Sequence, residues 1–393
     1  MLDLTKVAGQ IQGLSQHLSQ EADAGRQRIQ RAQRLWTEAS RQQPEAVQQL
    51  RQWGDRLNFT AAEPIEPLPT VVDVEATSSH HTVLATDGSQ IAPSHHEIAY
   101  CYLINVGRVA LHYGQGRTAL LDSLPELFYR SEDLYHCRQW GIPTEEWMGF
   151  RRTVLEAETL AELASQRLTN PQPPTLAMVD GSLIYWFLDT LPKDAGHSIL
   201  TPVLAAWQQL EQLRIPLVGY VSASRSGESL NFLRLQCCPY LAPDCLTHCP
   251  DPSVRPPCQV LEPLRDVVFW ASVLQAGQRS CLWRSSAPVL SNYGSHTIYF
   301  CYIHVGVEVA RLEFPSWVVE DVQLLKTALS LTLAQVIKGF GYPVALAEAH
   351  NQAVVRGGDR SRFFALLEQQ MIKAGLQNIG TSYKEARKRG SIA

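Results

Sequence analysis

The chain has 393 residues, longer than one typical domain, with 45% hydrophobic and 18% charged residues and a formal net charge of −4. That composition excludes a disordered chain, and the negative balance excludes a molecule-wide attraction for nucleic acid, so any DNA-binding surface has to be a local basic groove. No apolar stretch approaches the ~20 residues of a membrane span, and Met1-Leu2-Asp3-Leu4-Thr5-Lys6 lacks the order of a signal peptide, which predicts a cytoplasmic protein with reduced cysteines.

Residues 1 to about 60 read as helix. Leu14, Leu18, Ala22, Ile29, Ala32 and Leu35 recur at helical spacings among Gln, Arg and Glu. The proline-spaced stretch Pro64-Ile65-Glu66-Pro67-Leu68-Pro69 follows, so residues 1–75 form a helical arm and linker. The arm is a candidate dimer or partner contact, and packing against the chain's own core is an equally good use for it.

From Val83 the pattern turns to strand. The run Val83-Leu84-Ala85-Thr86 ends in Asp87-Gly88-Ser89. Glu97–Val106 and Val109–Tyr113 follow as strands around a turn at Gly107-Arg108, which predicts a three-stranded antiparallel meander. A helix is expected around Leu121 to Arg130. A strong one runs from about Trp147 to Leu168, with Ala157, Leu160, Ala161, Leu163, Ala164 and Leu168 as its apolar face, until Pro171, Pro173 and Pro174 stop it. A second strand, Leu176-Ala177-Met178-Val179, then ends in Asp180-Gly181-Ser182. A helix around Pro202–Leu213 leads to the strand Pro216–Val221. Three antiparallel strands followed by alternating helix and strand is the order of a ribonuclease H-like α/β fold, a mixed sheet flanked by helices. In that fold the acidic residues ending the first and fourth strands meet.

The segment from about 237 to 262 reads as a Cys- and Pro-rich insertion. Cys237, Cys238, Cys245, Cys249 and Cys258 surround His248, but no Cys-x-x-Cys pair occurs, which favours free thiols over structural zinc. Thr297–Val305 and Val307–Glu313 form a hairpin around Gly306. A helix from about Glu320 to Lys338 leads to Gly341-Tyr342-Pro343, and a last helical stretch carries His350. The main domain is therefore 76–370, followed by a basic tail, 371–393, with Lys373, Lys384, Arg387, Lys388 and Arg389.

Two carboxylates on neighbouring strand ends can hold divalent cations for phosphate chemistry, although one Asp-Gly alone is ordinary turn chemistry. A third carboxylate is expected from the helix between them, where the candidates are Glu156, Glu158 and Glu162. At 100° per residue Glu158 and Glu162 lie on the solvated face, whereas Glu156 flanks the apolar stripe and can point across the sheet edge, so Glu156 is preferred. By position alone His350 reads as a core histidine and Tyr342 as packing.

The two Asp-Gly-Ser strand ends, the hairpin ending Arg311-Leu312-Glu313-Phe314-Pro315, and the closing stretch Tyr342-Pro343-Val344-Ala345-Leu346-Ala347-Glu348-Ala349-His350 stand in an order that resembles the NurA-domain nucleases. The resemblance covers about residues 80–360, the inserted segment excepted. It implies that Asp87, Glu156, Asp180, Tyr342 and His350 gather around manganese, with magnesium as a possible substitute, and that Asp87, Glu156, Asp180 and His350 are the metal ligands. It further implies a homodimeric deoxyribonuclease of DNA end processing and repair, a single-strand endonuclease and 5'-to-3' exonuclease, working beside a HerA-type hexameric ATPase. Two features depart from the family. Where it often carries a lysine after the Pro216–Val221 strand, this chain has Ser222-Ala223-Ser224-Arg225, and Arg225 would meet phosphate with a planar fork. The interval from Glu156 to Asp180 is also long for the family.

Two rival readings remain at this level. An actin-like or sugar-kinase ATPase shares the core and uses two similar loops, but each loop here has a single glycine where a phosphate cradle needs more. A non-catalytic scaffold that binds DNA or the ATPase is the other.

Overall fold

The computed structural model describes residues 3–77, 80–95, 97–167, 173–251 and 253–375. Two compact units interleave along the chain: the residues through Glu75 with Tyr220–Ser316, and Ala76–Gly219 with Trp317 onward. The segment expected as an insertion belongs to the first unit. The basic tail beyond residue 375 and the predicted helix end at Leu168 lie outside the described residues.

In chain order the first unit opens with α1 (Leu4–Arg41), α2 (Gln43–Trp53), β1 (Glu63–Pro64) and β2 (Val71–Asp73). The second unit supplies β3 (His81–Ile91), β4 (Tyr102–Tyr113), β5 (Leu120–Phe128), α3 (Ser131–Tyr135), α4 (Thr144–Arg167), β6 (Thr175–Asp180) and α5 (Lys193–Gln212). The boundary falls within β7 (Leu217–Val221). The first unit resumes with α6 (Glu228–Leu233), α7 (Cys245–His248), α8 (Asp266–Ala271), β8 (Gln278–Ser280), β9 (Trp283–Arg284), β10 (Ile298–His304) and β11 (Val309–Pro315). After α9 (Ser316–Glu320), the second unit closes with α10 (Val322–Lys338), α11 (Val344–Ala353) and α12 (Gly357–Lys373).

The second unit has the ribonuclease H-like mixed sheet. Its strands lie in the order β5-β4-β3-β6-β7, with β3, β4 and β5 antiparallel and β6 parallel to β3. Two local expectations are corrected. The chain does not turn at Gly107-Arg108: β4 runs unbroken through both residues, with Gly107 opposite Asp87 and Arg108 opposite Thr86. Gly107 is there because α11 lies on it, since a Cβ at that position would sit 2.6 Å from the Ala353 backbone nitrogen. The third strand of the meander is β5, where a helix was expected over Leu121–Arg130. Leu121, Leu124 and Leu127 are spaced as on a helix, but they are exposed on an edge strand, where Pro125 is tolerated because an outward N–H has no ladder partner to lose.

The first unit buries an aromatic core. Ala32 and Ala39 of α1 and Ala46 and Leu50 of α2 pack with Phe269, Trp270, Trp283 and Phe300, and Trp36 meets Trp270 edge-on at 5.0 Å. Leu14 and Leu18, expected on the same apolar stripe, are exposed. The hairpin of β10 and β11 pairs Ile298 with Pro315 through His304 with Val309, and Gly306 takes the positive φ of 100° that its turn requires. Arg311 in this hairpin is 2% exposed and sealed by Glu228 at 2.9 Å and Glu313 at 2.7 Å. The Arg311–Pro315 motif is thus part of this unit's core. All nine cysteines are free thiols.

Candidate active site

The site begins with strand register. The last bridged pair between β3 and β6 is Thr86 with Val179. Asp87 and Asp180 are the next residue on each strand, so their carboxylates stand side by side. Successive strand residues face opposite sides of a sheet, so Thr86 and Gly88 face one layer of helices while Asp87 and Ser89 face the other.

On the first face lies α4. The Thr86 hydroxyl donates to the Glu156 carbonyl at 3.0 Å, which fixes the helix over the strand. A Cβ on Gly88 would clash with the Glu156 carboxylate and would sit 2.6 Å from Arg152 Cγ. The missing side chain at Gly88 is therefore what admits Glu156 and Arg152. The Gly88 N–H donates to Asp87 Oδ1 at 2.8 Å and also to Glu156, so one donor links two carboxylates. Arg152, one helical turn before Glu156, holds its Nε 3.3 Å from Glu156 Oε1. Glu158 and Glu162 are exposed, and Glu162 accepts from Gln166 at 2.7 Å. Of the three candidate glutamates, only Glu156 faces the aspartates.

On the second face lies α11, seated where Gly107 leaves room. The Ser89 hydroxyl donates to the Ala353 carbonyl at 2.5 Å and accepts from the Val355 N–H at 3.1 Å. The Asn105 amide donates to the same carbonyl at 2.7 Å. Those bonds pin the end of α11, whose start is held by Gln335: its Oε1 accepts from the Ala345 N–H at 3.0 Å and its Nε2 donates to the Tyr113 hydroxyl at 3.1 Å. Between these anchors His350 places Nδ1 2.8 Å from Asp87 Oδ2. Tyr342 enters from the turn between α10 and α11, where Phe340 and Gly341 take φ of 54° and 121°, and its hydroxyl donates to Asp180.

The charges explain one another. Burial pushes the Glu156 carboxyl up to about 7, helped by repulsion from Asp87 and Asp180 and opposed by Arg152 and the Gly88 N–H. Asp180 is also raised, first by loss of water around its carboxyl and then by Asp87, while the Tyr342 hydroxyl and His350 pull the other way. Carboxylates on Asp87, Asp180 and Glu156 form an anionic centre, and a hard cation with oxygen ligands is chemically matched to such a donor set. As the side chains lie, no three His, Cys, Asp or Glu groups among the described residues close on one point. Glu156 leans on Arg152, and Asp87 leans on His350.

Asp87, Glu156, Asp180, Tyr342 and His350 are thus brought together in the second unit, while Arg225 is an exposed residue of the first. Sequence reasoning missed Arg152, Gly107 and the Ser89–Asn105 anchor. Ser89 stood in plain view inside the Asp-Gly-Ser motif, whereas Arg152 was detectable only by its one-turn spacing from Glu156.

Among solved structures, the chain is similar to the crystal structure of the NurA nuclease from Sulfolobus solfataricus, at 13% identity and a TM-score of 0.48, over 87% of this chain and 96% of that one. A second, described as a crystal structure of NurA, aligns at 10% identity and a TM-score of 0.38, over 75% of this chain and 89% of that one. No curated protein matches the chain. No described helix is long and apolar enough to cross a membrane. The NurA domain model matches residues 81–355, which is 275 of 393 residues and contains every member of the cluster. The chain belongs to the NurA domain family, and that membership implies a nuclease.

Proposed function

We propose that this protein is a manganese-dependent deoxyribonuclease that hydrolyses phosphodiester bonds at DNA ends and in single strands, as a homodimer working with a HerA-type ATPase in repair. The observation that carries the reading is the convergence of Asp87, Glu156 and Asp180 from β3, α4 and β6, with His350 of α11 bonded to Asp87 across 263 positions of sequence. Asp87, Glu156, Asp180 and His350 would hold the cation. The single imidazole among oxygen donors suits manganese, and magnesium is admissible. When bound, the ion supplies charge neutralisation at the scissile phosphate and an activated water.

The chain's own residues do the rest. His350 fixes the orientation of the Asp87 carboxylate, and the Tyr342 hydroxyl does the same for Asp180. Glu156 holds a proton near neutrality that a cation would displace. Arg225, if the DNA path reaches it, offsets phosphate charge. An actin-like ATPase finds no support at the first Asp-Gly-Ser, which lies inside strand β3, since a phosphate cradle needs a run of free N–H groups and the Gly88 N–H is already shared by two carboxylates.

The test is cleavage of end-labelled single-stranded and duplex DNA with manganese, by the wild-type protein and by Asp87→Asn. Manganese-dependent products that vanish in the variant, while its DNA binding persists, are expected. Equal and negligible cleavage by both proteins would favour a scaffold, and magnesium-dependent ATP binding in calorimetry would favour the ATPase.

A further inference from the structure

We propose that Arg152 is a phosphate-binding residue of this site, held on Glu156 until a cation takes its place. The inference rests on the nuclease reading above and adds a substrate contact to it.

Arg152 is built differently from a structural arginine of the same chain. Arg311, 2% exposed, is bonded to Glu228, Glu313 and Ser226 and stacks 3.6 Å from the Phe300 ring centre. Arg152 has one recorded ion pair among the described residues, to Glu156, and its side chain is 37% exposed. Its Nε is buried and makes no hydrogen bond. Its Cγ and Cδ lie so near Gly88 that a Cβ there would sit 2.6 and 2.8 Å from them. The stem is therefore fixed against the strand that carries Asp87. With Nε buried and the stem fixed, the two terminal guanidinium nitrogens are the donors left for a ligand.

A half-buried guanidinium paired with Glu156 has an evident role before substrate arrives, which is to offset the charge of that carboxylate. A divalent cation held by Glu156 would compete with the guanidinium for that carboxylate. The guanidinium would then be free to meet a phosphate, with a planar fork suited to two phosphate oxygens. Arg225, the basic residue that sequence pointed to, belongs to the other unit, whereas Arg152 is a cation of the second unit itself and is ion-paired to Glu156. The ligand class is a nucleic-acid backbone phosphate.

The experiment measures binding of a fluorescent single-stranded oligonucleotide to wild type, Arg152→Gln and Arg152→Lys by anisotropy across a salt series, in EDTA and in calcium. Manganese binding to each protein is measured by calorimetry. Arg152→Gln should bind DNA on the order of tenfold more weakly, and the slope of log affinity against log salt should fall by about 0.7, one single-strand phosphate contact. Its manganese affinity should be equal or higher, because a competing positive charge is gone. Arg152→Lys should keep the slope while losing the fork's share of affinity. An unchanged slope in Arg152→Gln overturns the proposal, and so does weaker manganese binding, which would make Arg152 a support for Glu156 only. If Arg152→Gln does not fold, Arg152→Lys decides, and wild-type DNA affinity in that variant overturns the proposal. A wild-type protein that binds DNA in EDTA but never cleaves with manganese defeats the nuclease reading, and the Arg152 contact is then judged on the slope alone.

Discussion

His350 and Asp87 share a 2.8 Å hydrogen bond although 263 positions separate them. No local preference of the chain produces this contact. It exists because α11 is pinned across β3 and β4 at Ser89, Asn105 and Gly107. Two substitutions separate the partners. Asp87→Asn removes the charge of a proposed ligand and should lower cleavage by about 10³-fold or more. His350→Ala leaves the three carboxylates in place and should cost about 10- to 100-fold. Both are checked by single-turnover cleavage alongside DNA-binding and melting controls.

Gly107→Ala tests the seat of the helix. The added methyl would meet the Ala349 carbonyl and sit 2.6 Å from the Ala353 nitrogen, so α11 must move. A loss of about 1–3 kcal/mol in urea denaturation is expected, together with a fall in cleavage larger than the stability loss alone produces. Full activity in a destabilised protein would show that the site tolerates a displaced α11.

Tyr342→Phe deletes the hydroxyl that favours ionised Asp180. Without that bond the Asp180 carboxyl rises further, so the acid limb of the pH–cleavage profile should shift to higher pH. The activity plateau should fall by about tenfold or less, because the aspartate itself remains. A profile that drops without moving would assign Tyr342 to substrate contact alone.

Glu156 sets a pH signature for stability in the absence of metal. Its folded value, about 7, lies above its ordinary value of 4.5, so between those values the folded state binds the proton more tightly than the unfolded state. Its contribution to stability therefore falls as pH rises from about 4.5 to about 7 and stays lost above that window. Glu156→Gln should flatten this slope and stabilise the metal-free protein at pH 8 by on the order of 2 kcal/mol. Denaturation series at several pH values check both statements.

Asp266 makes the corresponding case in the first unit, away from any chemistry. Fully buried, it accepts from the Ser229 and Leu230 N–H groups at 3.0 Å each and from the Tyr302 hydroxyl at 2.6 Å. Asp266→Ala strands three donors and should cost about 3 kcal/mol or more, measured by chemical denaturation.

The sequence carried the site further than it carried the fold around it. The two Asp-Gly-Ser motifs were legible because a buried strand followed by Asp-Gly is a strong local pattern, and parallel pairing brought them into register, but only the second ends its strand: β3 runs on to Ile91 because Asp87, Gly88 and Ser89 still pair with Gly107, Val106 and Asn105 of β4. Glu156 followed from helical geometry, since Glu158 and Glu162 point to water. Gly107 misled because a glycine inside a strand looks like a turn when the helix packed on it lies more than two hundred residues later. β5 misled because an edge strand with exposed Leu121, Leu124 and Leu127 has no buried face to betray its period. The interleaving of the two units was hidden because only the first crossing, after Glu75, follows a proline-spaced linker, whereas the later two fall inside β7 and α9 with no change of composition to mark them.

The late position of α11 has a consequence for biosynthesis. During translation the acidic trio is complete once residue 180 has emerged from the ribosome, yet the tyrosine and histidine arrive some 160 residues afterwards. Nascent chains and prematurely terminated fragments therefore lack the finishing half of the centre. On the proposed reading, a chain cut short before α11 holds the three carboxylates without the two groups that orient Asp87 and Asp180.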